Sequence, residues 1–192
     1  MIVYTLFGMS PSGTLVAAPI GPAWHDFYLM AGTASATLVG LLFVALSLHV
    51  EVLFKGEHRD FRELAAEAFQ GYLYVLITAL AFLLPVENPA LLAFMYAAIN
   101  VVMLIRTGFR APKFFTAHRA RGGSAMRRWR FFVPALAYLL GLLAVFESLK
   151  GGMRAGVGFF TPVVMMLAAS TRTAWDLLEY VGKVRSGTAN TP

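Results

Sequence analysis

The sequence contains no cysteine and few charged residues, and both deficits restrict what the chain can be. Without Cys there can be no disulfide, no thiolate metal site, no iron–sulfur cluster and no cysteine nucleophile. Charged residues make up 14% of the chain, against roughly 25% in ordinary globular proteins. Hydrophobic residues make up 58% of the chain. A water-soluble protein of 192 residues could not bury that much apolar surface in a single core. The composition therefore indicates an integral membrane protein.

Acidic residues are missing from one segment, residues 106–130, which contains eight of the 16 Lys and Arg. The segment lies between two apolar runs, and such basic connections stay on the cytoplasmic side of a membrane. Its aromatic residues would also suit nucleic acid or a protein partner, but a loop tied to the membrane at both ends lies nearest to anionic lipid. We therefore predict a basic cytoplasmic loop that contacts anionic lipids and no nucleic acid. The predicted lipid contacts are Arg110, Lys113, Arg119, Arg121, Arg127, Arg128 and Arg130.

Five apolar segments are long enough, or nearly so, to cross a hydrocarbon core of about 30 Å. They cover residues 27–50, 68–84, 90–105, 131–149 and 156–171, and the last is expected to continue as a cytoplasmic helix to about residue 182. The third is the shortest, since 16 residues rise only about 24 Å, but Arg106 can extend it by snorkelling. The predicted fold is an all-α bundle of about five transmembrane helices within a single domain, residues 23–182. Residues 1–22 and 183–192 are expected to be flexible tails.

The distribution of Lys and Arg predicts that the N-terminus lies outside and the C-terminus in the cytoplasm. A four-span topology, with the first segment partly in the interface, is the alternative. Under the five-span topology, Asp, Glu, Lys, Arg and His are absent from the middle of every span. Such residues mark proton relays and ion-coupled transport, so their absence argues against a proton-driven transporter. The polar residues far from both surfaces are Thr33, Thr37, Thr78, Asn100 and Tyr138.

The first span carries a stripe of small residues, Gly32, Ala36 and Gly40, with Thr33 and Thr37 beside it. Small residues four apart let two helices approach closely in lipid, with the hydroxyls bonded to preceding carbonyls. The same stripe could instead line a pathway for a solute. Asn100 has the same two interpretations, either as a hydrogen bond between helices or as a lining group.

A charged cluster is predicted at the inner ends of the first and last spans. His49 and Glu51 end the first span, where Arg172 and Asp176 of the last could face them. A structural salt-bridge cluster is one interpretation. A gate, a lipid-headgroup site and a partner-binding site are the others.

Sequence motifs for enzyme chemistry are absent. The chain has no His-Glu-x-x-His, no phosphate-binding loop and no Gly-x-Ser-x-Gly elbow. We therefore expect no catalytic residue, no cofactor and no metal site.

Two stretches carry a resemblance. Residues 27–48 resemble the first membrane segment of a group of small uncharacterised bacterial multi-pass inner-membrane proteins, and the stretch Arg172-Thr-Ala-Trp-Asp-Leu-Leu178 resembles their last segment. Some members are labelled as modulators of a membrane-anchored protease. The resemblance implies a bacterial cytoplasmic-membrane location and carries over no functional residue.

Three functions follow as hypotheses. The first is a homo-oligomeric channel or pathway for an ion or uncharged solute, lined by Thr33, Thr37 and Asn100, with the charged cluster at its inner mouth. The second is a non-transporting accessory or regulatory subunit that binds a membrane partner through the first span and anionic lipid through the basic loop. The third is a lipid-modifying membrane enzyme, for which no nucleophile–base pair is visible.

Overall fold

The computed structural model describes residues 22–48, 59–85, 88–121, 125–150 and 155–185, with side chains over 24–48, 61–85, 88, 90–109, 129–150 and 158–182. All regular secondary structure in these residues is α-helical. The five helices are α1 (Pro22–Leu48), α2 (Arg59–Leu83), α3 (Pro89–Arg121), α4 (Ala125–Leu149) and α5 (Ala155–Arg185).

Four of the described helices are long and apolar enough to cross a membrane. The apolar stretches are Trp24–Leu48, Phe61–Leu83, Ala90–Phe109 and Trp129–Leu149. They fit a multi-pass membrane protein, and the predicted all-helical architecture is confirmed. Helix α5 is not among the four, and its second half carries Arg172, Asp176 and Glu179. The fifth span and the orientation of the termini stay predictions.

The helices extend further than the apolar runs from which they were predicted. Helix α2 begins at Arg59 rather than near residue 68, so its charged first turns and its apolar part are one helix. Helix α3 continues through the basic segment to Arg121, and α4 begins at Ala125. The segment predicted as a basic loop is therefore largely the helical ends of α3 and α4. Its position on the cytoplasmic side stays a prediction.

The turn between α2 and α3 follows from local chemistry. Pro85, which has no backbone N–H, follows closely after the end of α2. Asn88 then caps α3, because its side-chain oxygen accepts a hydrogen bond of 2.9 Å from the backbone N–H of Ala90. Pro89 occupies the first helical position, where its fixed φ suits the helix. Pro85 therefore marks the end of α2, and Asn88 and Pro89 mark the start of α3.

Helix α2 lies at the centre of the bundle. It packs against α1 on one side and α5 on the other, α5 packs against α4, and α4 packs against α3. In the most apolar 18-residue stretch of each helix, the buried share is 50% in α2, 22% in α1 and α3, and 28% in α4. Helix α1 contacts mainly α2 and to a small extent α5, so much of its surface is unpartnered in the single chain.

Aromatic rings fill the end of the bundle near the α2–α3 turn. Tyr28 and Phe82 stack with centroids 4.4 Å apart and planes 11° apart. Tyr96 lies 5.2 Å from Phe82 and 5.3 Å from Phe159, and the Tyr96–Phe159 pair is edge-to-face. All four rings are buried. Such pairs contribute about 0.5–1.5 kcal/mol each beyond the burial of area, so they help to hold α1, α2, α3 and α5 together at this end.

Candidate functional site

The small residues of α1 divide between two sides of the helix. Gly32 is buried against α2, where a Cβ would lie 3.0 Å from the Cβ of Ala79. Gly40 is exposed, and a Cβ there would meet nothing within 4 Å. Each step of four residues rotates the position by about 40°, so a stripe that starts on α2 at Gly32 has turned away from it by Gly40.

Thr33 and Thr37 also lie on the exposed side of α1. The Thr33 hydroxyl donates a hydrogen bond of 2.8 Å to the Leu29 carbonyl, and Thr37 donates one of 2.9 Å to the Thr33 carbonyl. These donors are satisfied within the helix, so both side chains can face an apolar neighbour. We call this surface the outward face of α1; it consists of the exposed residues Met30, Thr33, Thr37, Gly40 and Val44. Ala36 is exposed beside it.

The contact between α1 and α2 includes a polar anchor that sequence reasoning did not identify. Ser35 is fully buried, and its hydroxyl donates a hydrogen bond of 2.5 Å to the backbone carbonyl of Tyr72. Ser35 lies one turn from Gly32, and together they set the side of α1 that faces α2. The outward face is left on the opposite side.

Alanine at Gly32 and at Gly40 should therefore have opposite effects on stability. We expect Gly32→Ala to lower the unfolding free energy by about 1 kcal/mol, because its methyl group presses on Ala79. Gly40→Ala should be neutral or stabilise by up to about 1 kcal/mol, because alanine favours the helix. Unfolding by SDS titration in mixed micelles measures both. Equal effects would contradict the packing of α1 described above.

Asn100 lies in the interior and joins two helices. Its side chain is fully buried, accepts a hydrogen bond of 3.0 Å from the Tyr74 hydroxyl and donates one of 2.8 Å to the Tyr96 carbonyl. Gly141 of α4 packs directly against the Asn100 amide. Tyr138 packs edge-on against Tyr74 at 5.0 Å. We call Tyr74, Tyr96, Asn100, Tyr138 and Gly141 the Asn100 hub. It is separate from Thr33 and Thr37, which face outward.

A second polar contact, between Glu67 and Arg130, joins α2 to α4 at the end of the bundle opposite the α2–α3 connection. The Arg130 guanidinium donates through Nη2 to the Glu67 carboxylate, and the two side chains are 23% and 31% exposed. Arg130 Nε is buried and has no hydrogen-bond partner among the described residues. Beside the pair is a small cavity of about 30 Å³ between α2, α4 and α5. We call it the Arg130 cleft, and its polar walls are Glu67, Arg130, Ser170, Arg172 and Thr173.

The predicted inner charged cluster is described only in part. His49 and Glu51 lie outside the described residues. Arg172 is exposed and Asp176 is half-buried one turn further along α5. Arg172 lines the Arg130 cleft. Of the predicted lipid contacts, only Arg130 has a described side chain; the side chains of the other six, Arg110, Lys113, Arg119, Arg121, Arg127 and Arg128, lie outside the described residues.

The Glu67–Arg130 pair was missed, although a signal for it is present in the sequence. Each residue immediately precedes the apolar run of its own predicted span, and the predicted topology starts both spans on the same side of the membrane. Opposite charges at equal depth on two helices are natural partners, because each reduces the cost of burying the other.

Comparison with known proteins adds no further constraint. No family model, no curated protein and no solved structure matches this chain. The resemblance of residues 27–48 and 172–178 to small bacterial inner-membrane proteins therefore stays an expectation.

Proposed function

We propose that the protein is a non-transporting accessory subunit of the bacterial cytoplasmic membrane, which binds another membrane protein through the outward face of α1. The observation that carries the proposal is the surface itself. It combines small and hydroxyl residues whose donors are already satisfied, and it belongs to a helix that packs mainly against a single neighbour, α2.

The physical basis is the packing of helices in lipid. Lipid tails are as apolar as Leu, so helices associate there by close packing rather than by hydrophobic burial. At Gly40 and the two threonines, a partner backbone could approach more closely than it could at a surface of large side chains. The large exposed side chains of Met30 and Val44 would flank that contact.

The basic segment adds an electrostatic part to this proposal. Lys and Arg near an anionic leaflet each contribute about 1 kcal/mol of attraction, which weakens as salt is added. The segment continues the helices α3 and α4, so these cations would hold the bundle at a defined depth. The partner would then meet α1 in a fixed orientation.

An oligomeric pathway is the second candidate, and the exposed hydroxyls of Thr33 and Thr37 favour it. If copies of the chain met through the outward face of α1, those residues would lie at or near the common axis. Asn100 could not line the same path, because it is enclosed in the hub between α2, α3 and α4. The aromatic packing of Tyr28, Phe82, Tyr96 and Phe159 supports the accessory role over a pathway through one bundle.

The chain has no native cysteine, so a single introduced thiol can report on each surface. We expect Thr37→Cys, labelled with a photoreactive benzophenone in native membranes, to give an adduct with one other membrane protein. The matched control is Phe94→Cys on α3, which is 71% exposed and should give none. Mass spectrometry identifies the adduct. A dimer of the chain would favour the second candidate, and equal adducts at both positions would reject both functions.

A further inference from the structure

We propose that the Arg130 cleft is a specific binding site for a phosphate diester, supplied by the headgroup of an anionic phospholipid. The proposal does not depend on what the outward face of α1 binds. It also differs from a general attraction of anionic lipid to the basic segment, because it places one phosphate group in one site between three helices. The site is formed by Arg130 of α4, Glu67 of α2 and the helical turn Ser170–Thr173 of α5.

The argument starts from the unused donor of Arg130. Nη2 is bonded to Glu67, while the Nε–H is enclosed by protein and has no acceptor among the described residues, so the side chain must rotate for an anion in the cleft to reach it. A buried donor without an acceptor is costly, and a charge-assisted bond to a phosphate oxygen is among the strongest ways to satisfy it. Arginine is also the side chain whose planar donor array matches the tetrahedral face of a phosphate.

The size and charge of the cleft fit one phosphate edge. A single water needs about 10–15 Å³ of cavity volume. The cleft, at about 30 Å³, therefore admits one or two phosphate oxygens, while the rest of the phosphate ester stays outside. Arg130 and Arg172 both line the cleft, so two guanidinium groups stand beside the Glu67 carboxylate. Guanidinium groups are the side chains that bind phosphate oxygens best.

The depth of the cleft suits a lipid rather than a soluble anion. Trp129, which also lines the cleft, is 64% exposed at the start of the α4 span. Trp side chains at span ends lie at the level of lipid headgroups. Val133, Pro134 and Met166 form the apolar part of the wall, where the glycerol and acyl chains of a lipid would continue. Glu67, which pairs with Arg130, also lines the cleft.

The test is native mass spectrometry of the full chain released from detergent with added phosphatidylglycerol, with phosphatidylcholine as the zwitterionic comparison. We expect Arg130→Gln to reduce phosphatidylglycerol occupancy about tenfold, the loss of one charge-assisted hydrogen bond. Arg106→Gln is the matched control, because it removes the same charge from an exposed position of α3 outside the cleft. It should leave occupancy unchanged.

Glu67→Gln separates a binding site from a structural ion pair and remains informative if Arg130→Gln does not fold. Removal of the negative wall charge should maintain or raise phosphatidylglycerol occupancy. A loss in Glu67→Gln, or equal losses in Arg130→Gln and Arg106→Gln, would overturn the proposal. Inorganic phosphate provides the other arm. If inorganic phosphate displaces the lipid and raises the thermal unfolding midpoint of the wild type but not of Arg130→Gln, the cleft binds phosphate from a soluble ligand and not from a lipid headgroup.

Discussion

Replacing Gly141 with alanine is expected to destabilise the bundle by about 3 kcal/mol, because the added methyl group would enter the Asn100 hub. A Cβ at position 141 would lie 2.5 Å from Asn100 Oδ1 and 2.9 Å from the Tyr96 hydroxyl oxygen. The amide cannot simply retreat. It is bonded to the Tyr74 hydroxyl and to the Tyr96 carbonyl, so any shift that relieves the clash weakens a buried hydrogen bond.

The measurement is reversible unfolding by SDS titration in mixed micelles. Gly108→Ala on α3 is the control, since a Cβ there meets nothing within 4 Å. Asn100→Ala should also destabilise, because it removes the oxygen to which the Tyr74 hydroxyl donates. The double variant should be less destabilised than the sum of the two by about 1–2 kcal/mol, because the clash is removed with the amide. Equal stability of Gly141→Ala and Gly108→Ala would show that α4 does not approach Asn100 in this way.

The membrane-spanning helices were predictable because their signal is length and composition together. Uninterrupted apolar runs predicted the four helices, α1 to α4, that are long and apolar enough to cross a membrane. The helix ends were not predictable in the same way. The thickness of the lipid sets the length of the apolar part. The helix itself extends beyond that part wherever its residues favour helical structure, so α2 begins already at Arg59 and α3 ends only at Arg121.

The polar residues of the spans were identified individually, but their neighbours were not. The pattern at Gly32 and Gly40 shows the spacing of small residues, yet only the position of α2 distinguishes the packed glycine from the exposed one. Asn100 stood out as an amide far from both surfaces. Its bond to Tyr74 depends on how α2 and α3 lie against each other, and nothing in the spacing along either helix determines that.

The contact between α2 and α5 at Gly71 shows the same limit. The sequence around Gly71 contains no distinctive motif that would mark it as a contact between helices. In the structure Gly71 is buried where α2 packs against α5, opposite Ser170. The importance of a glycine in a membrane helix is therefore decided by the neighbouring helix and not by its own sequence context.

Gly71→Ala is accordingly expected to destabilise the bundle by about 2 kcal/mol, because it forces α2 and α5 apart. A Cβ at position 71 would lie 1.8 Å from the Ser170 hydroxyl oxygen, 3.1 Å from the Ser170 Cβ and 3.3 Å from the Met166 Cε. The hydroxyl can rotate away and the methionine is flexible. The Ser170 Cβ is fixed to the α5 backbone, so only a shift of the helix relieves that contact.

A double-mutant cycle with Ser170→Gly tests this explanation. The serine replacement alone should cost about 1 kcal/mol through lower helix propensity. In its background, Gly71→Ala should lose most of its effect, because the Cβ that blocks the new methyl group is gone. Gly182→Ala near the end of α5, where a Cβ meets nothing within 4 Å, is the control for a general alanine effect. If Gly71→Ala costs the same with and without the Ser170 side chain, its destabilisation does not arise from the contact between α2 and α5.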